Sequence, residues 1–307
     1  MKILITGGCG FIGTNLISYI SKHENIEIRV IDNEILGSYN NIKKWDVEFE
    51  HGDINSEITL NKVLQGVDAV IHLAADTRVI DSIENPDKNF QTNVIGTFTL
   101  LRNMQKFGID RIINASTGGA ILGEVKPPVR EDMLPSPQSP YGASKLAVEG
   151  YLSAFSASYG MKACSLRFSN VYGPNSWHKG SVVAQFLRCI LNGEKLNIYG
   201  DGEQTRDYVY VDDLCNGIVK ALKSEVSGVY QLGTGNPTSI KQLIKIICRV
   251  TNKNPEIIYH QRRTGELLHT WCDISKARST FGYSPAMDLD HGIEETWKWF
   301  CDYRNCS

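Results

Sequence analysis

A tyrosine and a lysine four residues apart are the first side chains in this sequence that could do chemistry together. Tyr141 and Lys145 lie in the segment SPYGASK, which begins with Ser139 and Pro140. Serine is a favoured helix N-cap and proline suits the first helical position, so a helix is predicted to begin here. Residues four apart share one helix face, where the lysine charge would lower the pKa of Tyr141. Such a pair could supply a general base that works near neutral pH. Because this spacing is common by chance, an exposed tyrosine beside a solvated lysine is favoured until other motifs support the pair.

A glycine-rich turn near the N-terminus indicates a dinucleotide site. Gly7, Gly10 and Gly13 follow the apolar segment KILIT and open a stretch with helical periodicity. Glycines there allow a tight turn and let backbone N–H groups approach a pyrophosphate at the helix N-terminus. Asp32 ends the next apolar strand, where a carboxylate accepts hydrogen bonds from ribose hydroxyls and repels a 2′-phosphate. This context predicts NAD rather than NADP. A glycine turn beside a surface aspartate is the alternative.

Two hydroxyls and two glycines stand together in the stretch NASTGGAILG, residues 114 to 123. Ser116 and Thr117 follow the apolar strand RIIN, so they are expected at the carboxyl edge of a sheet. Ligands bind at that edge in open α/β sheets. The stretch is therefore interpreted as an active-site turn within reach of Tyr141, rather than as a turn alone.

Short apolar strands alternate with helical patterns through the first half of the chain, which predicts an α/β protein with a doubly wound parallel sheet. The predicted strands are Lys2 to Thr6, Glu27 to Asp32, Val47 to Asp53, Val67 to Ala75, Arg111 to Ser116 and Met161 to Phe168. The predicted helices are Phe11 to Lys22, Ser56 to Gln65, Pro86 to Phe107 and Pro140 to Tyr159.

The pattern changes after Phe168, where glycine, proline and asparagine cluster and the periodicity weakens. Residues 1–169 are expected to form the dinucleotide-binding domain. Residues 170–307 are expected to form a smaller C-terminal α/β domain that packs over the carboxyl edge of the sheet. The segment around residues 208–233 is expected to return to the first domain.

Composition excludes several classes of protein. The formal net charge of −2 provides no basic field for nucleic acid, and no run of 18 apolar residues predicts a membrane span. The N-terminal MKILITGGCG is already a strand and a turn, so no signal peptide is expected. The eight cysteines are scattered without CxxC or zinc spacing, and the seven histidines form no metal-binding cluster. A cytoplasmic protein with reduced thiols and no metal is expected.

The motifs together resemble those of the extended short-chain dehydrogenase/reductase family, and within it the nucleotide-sugar epimerases and dehydratases. The resemblance runs over nearly the whole chain and implies a Rossmann fold, NAD as cofactor and a UDP-sugar as substrate. The matching segments are GGCGFIG, GDI, HLAA, NVIGT, ASTGGAILG, SPYGASK, LRFSNVYGP, RDYVYVDD and DISKA.

The resemblance implies three catalytic residues. Thr117 would bond the sugar hydroxyl that is oxidised, Tyr141 would act as the base and Lys145 would also bind the nicotinamide ribose. Counting back from Leu122 would put Gly118 in the place of Thr117, and a one-residue shift in the turn restores Thr117 with Ser116 as its neighbour. The implied cofactor contacts are Gly7, Gly10, Phe11, Ile12, Gly13, Asp32, Asn33, Asp53, Ile54, Leu73, Ala74, Ala75, Asn93, Tyr141 and Lys145.

The two glycines after Thr117 bear on which reaction of the family is expected. Dehydratases of this family carry an Asp-Glu pair just after the hydroxyl, to eliminate water across C5 and C6 of the sugar. Here those positions are Gly118 and Gly119. Without these acids, oxidation and reduction at C4 of the sugar are favoured over dehydration.

The resemblance also implies a set of substrate contacts. Arg206 and Arg263 would hold the diphosphate, which suits the planar fork of arginine. Glu266 would accept a ribose hydroxyl, and Thr270 is small enough to leave space for an N-acetyl group. The full implied set is Thr117, Asn170, Asn197, Tyr199, Arg206, Arg263, Glu266 and Thr270.

The sequence therefore predicts an NAD-dependent UDP-hexose 4-epimerase that acts on UDP-glucose/UDP-galactose, on the N-acetylated pair, or on both, through a transient 4-keto sugar. A UDP-glucuronate epimerase and a 4-keto-sugar reductase are the enzymatic alternatives. A non-enzymatic NAD-sensing protein is disfavoured, because such proteins often lose the tyrosine or the lysine. By analogy with relatives, Pro86 to Phe107 and Pro140 to Tyr159 are expected to form a homodimer interface.

Overall fold

The structure, a computed structural model, describes residues 1–262 and 267–306. Its strands are β1 Lys2–Thr6, β2 Glu27–Asp32, β3 Glu48–His51, β4 Ala69–His72, β5 Arg111–Thr117, β6 Lys162–Phe168, β7 Asn170–Tyr172, β8 Leu196–Tyr199, β9 Thr205–Tyr210, β10 Gly228–Leu232, β11 Pro237–Ser239 and β12 Ile257–His260. Its α-helices are α1 Phe11–His23, α2 Glu57–Val63, α3 Val79–Glu84, α4 Pro86–Phe90, α5 Gly96–Lys106, α6 Gly119–Leu122, α7 Pro140–Tyr159, α8 Val182–Asn192, α9 Val211–Lys223, α10 Ile240–Thr251, α11 Ser275–Phe281 and α12 Leu289–Cys306.

Seven parallel strands form the central sheet in the order β10-β6-β5-β4-β1-β2-β3. Side chains alternate across the sheet, so Ile3 and Ile5 of β1 pack on the side of α1 and α9, while Leu4 packs on the side of α2, α5 and α7. The sheet is thus buried on both faces, and the predicted doubly wound α/β fold is confirmed.

The strand order reverses direction at β1, which lies between β2 and β4. Such a switch point leaves a crevice at the carboxyl ends of the two central strands, and ligands bind there in open α/β sheets. The glycine turn follows β1 and the segment 73–75 follows β4, so both lie at this crevice.

The second half of the chain adds a smaller layer around its own apolar core, to which α8, α10 and α12 contribute. β7, β9 and β11 form one small sheet, and β8 pairs with β12 in another. The chain also returns to the central sheet, because β10 pairs with β6 and α9 packs against α1. The division between residues 169 and 170 stays a prediction.

The helix predicted over Pro86 to Phe107 contains an interruption that periodicity does not reveal. Between α4 and α5 lies a π-helical turn, Gln91–Ile95. Such a turn inserts one residue and frequently occurs at functional sites. Within the part of the chain that the structure describes, no helix is both long enough and apolar enough to cross a bilayer.

Candidate active site

The glycine turn after β1 is pressed against neighbouring backbone. Gly7 has a φ of 71°, and a Cβ built there would lie 2.7 Å from the backbone nitrogen of Ala74. A Cβ on Gly13 would lie 2.5 Å from Cα of Gly8. Only glycine fits these two positions. The turn therefore keeps side chains away from the start of α1, where backbone N–H groups can bind a pyrophosphate.

The carboxylate of Asp32 lies directly beside this turn. Its Oδ2 accepts from the Cys9 backbone N–H at 2.9 Å, and its Oδ1 accepts from that of Glu34 at 2.7 Å. Burial raises the pKa of Asp32, and these two hydrogen bonds oppose the rise. Each carboxylate oxygen has a second lone pair, so the group can still accept ribose hydroxyls. The glycine cradle and this acceptor fit the adenosine and pyrophosphate of NAD.

The other residues implied for the cofactor lie around the same crevice. Leu73, Ala74 and Ala75 are half-buried just after β4, and Ile54 is buried after β3. Asn33 Nδ2 donates to Asp53 Oδ2 at 2.8 Å, which ties the end of β2 to the segment after β3. Phe11 and Ile12 open α1, and both are half-buried.

Asn93 has a different environment from the other predicted cofactor contacts. It lies in the π turn and is only 1% exposed. Its Nδ2 donates to the Asp76 carbonyl and to Ser144 Oγ, both at 3.0 Å, and its Oδ1 accepts from the Asp76 N–H at 2.8 Å. The amide thus joins the π turn to α7 and to the segment after β4.

Helix α7 places Tyr141 and Lys145 one turn apart, as predicted. Ser139 is its N-cap, and Ser139 Oγ accepts from the Gly142 N–H at 3.2 Å. Lys145 is 5% exposed, and its Nζ donates to the carbonyl oxygen of Ala115 on β5 at 2.9 Å. This contact ties the lysine to the strand that ends in Thr117.

The predicted lowering of the tyrosine pKa is wrong for the protein alone. Burial raises the pKa of Tyr141 to about 12, and the nearby Asp76 carboxylate adds to the rise. Burial also lowers the pKa of Lys145 to about 8, although the negative charge of Glu149 opposes this. The sequence shows which residues share a helix face, but the loss of solvation depends on tertiary packing.

The structure distinguishes the two hydroxyls that end β5. Ser116 is 4% exposed, and its Oγ donates to Glu149 Oε1 at 2.6 Å. Thr117, by contrast, is half-buried. Thr117 is therefore the more accessible hydroxyl of the pair.

The two glycines after Thr117 lie close to different side chains. A Cβ on Gly118 would lie 2.7 Å from Oε1 of Gln231, so a larger side chain there requires Gln231 to move. A Cβ on Gly119 would lie 3.4 Å from Cγ2 of Thr270. Leu122 is fully buried in the core. The turn after β5 thus brings the first half of the chain against the segment that carries Thr270.

Four of the predicted substrate contacts line one pocket within the second half of the chain. They are Asn170, Asn197, Tyr199 and Arg206. The Asn197 amide hydrogen-bonds His260 at 2.7 Å, and the ring of Tyr199 stacks on that of His260 with centroids 5.1 Å apart. Arg206 donates through Nη1 to the Thr205 carbonyl at 2.8 Å. Arg263 and Glu266 lie outside the described residues.

Two further pocket residues were missed by the sequence reasoning. Ser181 Oγ and Tyr208 Oη are buried at the pocket wall and have no hydrogen-bond partner among the described residues. Buried hydroxyls are normally paired, so these two can bond a polar group that enters the pocket. Tyr208 stands two residues after Arg206, and that proximity was the available signal.

A comparison with protein-family models assigns the chain to a family. The model described as the NAD dependent epimerase/dehydratase family matches residues 3–233. The chain belongs to this family. The predictions of an NAD-dependent enzyme, of NAD as its cofactor and of the nucleotide-sugar epimerase group are thereby confirmed.

Similar proteins carry related names. A putative UDP-glucose 4-epimerase of Methanocaldococcus jannaschii is 38% identical over 97% of each chain. The crystal structure of a UDP-glucose 4-epimerase with UDP-glucose from Thermotoga maritima is 36% identical, with a TM-score of 0.94 over 99% of this chain and 100% of that one. A UDP-N-acetylglucosamine 4-epimerase from Methanobrevibacter ruminantium, in complex with UDP-N-acetylmuramic acid, is 31% identical, with a TM-score of 0.93 over 98% of each chain.

Proposed function

We propose that this protein is a UDP-hexose 4-epimerase and that Thr117, Tyr141 and Lys145 are its catalytic residues. The observation that carries the proposal is the hydrogen bond from Lys145 Nζ to the carbonyl oxygen of Ala115 on β5. Ala115 lies two residues before Thr117, whose hydroxyl is accessible. The glycines after Thr117 provide no acid for dehydration. The similar epimerases of M. jannaschii and T. maritima support the same chemistry.

The proposed roles follow from charge and hydrogen bonding. Tyr141 takes the proton of the C4 hydroxyl, and Thr117 orients that hydroxyl. When bound, NAD supplies a hydride acceptor whose positive charge favours the phenolate. Because the pKa of Tyr141 is raised in the protein alone, where Lys145 is already present, the charge of bound NAD would be what brings the phenol toward its working range. Inversion at C4 requires that the 4-keto sugar turn within the site, so that either of its faces could be reduced when NAD is bound.

We propose that the sugar site admits an N-acetyl group as well as a plain hexose. Thr270 lies against Gly119, which follows β5, and neither residue carries a bulky side chain. The similarity to the M. ruminantium UDP-N-acetylglucosamine 4-epimerase supports this choice.

The decisive experiment is incubation of the purified protein with UDP-glucose, UDP-N-acetylglucosamine and UDP-glucuronate, with each product followed by NMR. The first two sugars should reach a mixture of C4 epimers without net change in NADH absorbance. Net consumption of NADH would instead indicate a reductase, and turnover of UDP-glucuronate alone would indicate a uronate epimerase. If NAD raises the melting temperature while no sugar nucleotide is bound or converted, the NAD-sensing alternative replaces the proposal.

We propose that the protein forms a homodimer through the outer face of α7 and its neighbours. α3, α4 and α5 pack against α7. This face exposes Ile80, Ile83, Phe90, Tyr151 and Tyr159, which are between 42% and 60% exposed. Exposed apolar side chains on neighbouring helices are typical of protein interfaces. Light scattering of the wild type and of a Phe90→Glu variant tests the proposal, because the variant should shift the mass toward the monomer.

We propose that the protein works in the cytoplasm. Cys9, Cys164, Cys189, Cys215, Cys248, Cys272 and Cys301 are all free thiols. Unpaired cysteines are typical of reducing compartments. Cell fractionation with an antibody tests the proposal.

A further inference from the structure

Behind the catalytic turn, three polar side chains form a buried cluster that no predicted role explains. Glu149 of α7 accepts from Ser116 Oγ at 2.6 Å and from Arg167 Nε at 3.0 Å through the same oxygen, Oε1. Its Oε2 accepts from Arg167 Nη2 at 2.7 Å. Ser116, Glu149 and Arg167 are 4%, 8% and 3% exposed. The fork of Arg167 therefore fixes both oxygens of the carboxylate.

Strand register explains why these residues meet. β5 and β6 are parallel, and Ser116 lies directly beside Arg167 in the pairing. Glu149 reaches both from α7, and it stands one helical turn after Lys145 on the same face. Lys145 itself is anchored on the carbonyl of Ala115, the residue before Ser116. One carboxylate thus joins the helix that carries Lys145 to the strand that ends in Thr117.

A buried ion pair of this kind is not a simple gain in stability. Removing two charges from water carries a desolvation penalty that well-packed apolar residues would avoid. Arg167 also leaves its Nη1 buried without a partner among the described residues. The arrangement therefore suggests that the charge of Glu149 has a local task.

We propose that Glu149 is a positioning residue of the site: its fixed carboxylate places a negative charge one helical turn from Lys145, and its bond to Ser116 leaves Thr117 as the hydroxyl that meets the sugar. The inference rests on the proposed catalytic role of Lys145 and adds the group that sustains it. Arg167 and Ser116 hold the carboxylate in place.

The charged and titratable groups around Lys145 are consistent with this role. On α7 it is flanked by Tyr141 and Glu149, and His72 of β4 also lies near it. His72 is buried and neutral, since burial and the charge of Lys145 lower its pKa to about 3. Asp76 lies near Tyr141, and Arg167 is paired with Glu149. Glu149 is thus the negative group that opposes the effect of burial on Lys145.

Two variants separate the charge of Glu149 from its packing. Glu149→Gln keeps the size and removes the charge, whereas Glu149→Asp keeps the charge on a shorter side chain. The pKa of Lys145 is measured by NMR in protein with ¹³C-labelled lysine side chains, and a Lys145→Arg sample assigns the signal. The second readout is the pH profile of kcat with UDP-glucose.

Glu149→Gln should lower the pKa of Lys145 below that of the wild type by about one unit or more, a tenfold shift in its protonation equilibrium. Its kcat at pH 7.5 should fall about threefold or more, because a smaller fraction of Lys145 is protonated, with partial recovery at lower pH. Glu149→Asp should keep a pKa nearer that of the wild type. Because Glu149→Gln leaves Arg167 unpaired and can fail to fold, the double variant Glu149→Gln/Arg167→Met is also compared with Arg167→Met, and that comparison removes the Glu149 charge where no arginine is left unpaired.

The proposal is overturned if the pKa of Lys145 is the same in the wild type and in the Gln variants. It is also overturned if the Gln and Asp variants lose activity equally with unchanged pH profiles, since that result assigns only packing to Glu149. The NMR titration needs no turnover. If the wild type converts no UDP-sugar, the proposed function fails. The NMR titration still tests whether Glu149 raises the pKa of Lys145.

Discussion

Gly119, which follows β5, lies against the side chain of Thr270, although the two residues belong to opposite halves of the chain. A Cβ on Gly119 would lie 3.4 Å from Cγ2 of Thr270. We infer that the size of the side chain at position 270 limits the space beside the proposed sugar site. A larger side chain at either position should weaken the binding of substituted sugars rather than the binding of the cofactor.

We expect Thr270→Tyr to narrow the site. Activity on UDP-N-acetylglucosamine should fall by at least about tenfold relative to activity on UDP-glucose, because steric exclusion of a small group is worth about this much. The measurement is the ratio of kcat/KM for the two sugars. Thr270→Val keeps the volume and removes only the hydroxyl, so its ratio should stay that of the wild type. An equal change in both variants would contradict the steric explanation.

Tyr141→Phe should abolish most of the activity without loss of NAD. Removal of a general base typically costs about 10²- to 10⁴-fold in rate. We expect kcat to fall within this range, while the NAD released on denaturation stays at the wild-type amount. Tyr151→Phe removes the hydroxyl of an exposed tyrosine on the same helix and should remain active. Epimerisation by Tyr141→Phe at a near wild-type rate would show that the mechanism is wrong.

Gly13→Ala should disrupt the cofactor turn. Its Cβ would lie 2.5 Å from Gly8 Cα and 2.6 Å from the Gly7 carbonyl oxygen, so the turn has to open. We expect about 1–3 kcal/mol of lost stability in urea unfolding, together with loss of bound NAD. Gly150→Ala is the matched control, because a Cβ there meets no atom within 4 Å. It lies inside α7 and should stabilise the protein by about 0.5–1 kcal/mol.

His72 should make stability depend on pH in the acid range. Its Nδ1 pairs with Thr6 Oγ1 at 2.7 Å and its Nε2 with Thr97 Oγ1 at 2.8 Å, and burial is the main cause that lowers its pKa to about 3. Between pH 6.5 and 3 the unfolded chain binds a proton on His72 that the folded protein does not. Its contribution to stability is therefore lost as the pH falls through this window, at up to about 1.4 kcal/mol per pH unit.

Urea unfolding at pH 7, 6 and 5 checks this prediction. His72→Gln does not titrate, so its stability should fall less steeply with decreasing pH than that of the wild type. His291→Gln, which removes an exposed histidine on α12, should keep the wild-type slope. Parallel slopes for the wild type and His72→Gln would contradict the assignment.

Much of the fold could be predicted because its signals are local. The strand over Lys2–Thr6, the strand over Glu27–Asp32 and the helix over Pro140–Tyr159 have the predicted bounds. Each follows from apolar patterning and capping within the segment itself. The π turn within the predicted helix Pro86 to Phe107 was not predicted, because one inserted residue alters the backbone without altering the apolar pattern.

The candidate site shows the same division between local and distant causes. The spacing of Tyr141 and Lys145 was sufficient to place them on one helix face. The direction of the Tyr141 pKa shift was predicted wrongly, because burial and the approach of Asp76 depend on how separate segments pack. Ser181, which no sequence signal marked, became recognisable only when the pocket around its unpaired hydroxyl was seen.

The sequence by itself determined the glycine turn with Asp32, the tyrosine–lysine pair and the family to which the chain belongs. These features depend on residue types at fixed short spacings, which the backbone converts directly into turns and helix faces. The tertiary structure alone decided that Ser116 bonds Glu149, that Arg167 fixes that carboxylate and that Gly119 meets Thr270. These contacts join residues far apart in the chain, so they depend on the register of parallel strands and on the packing of helices against them.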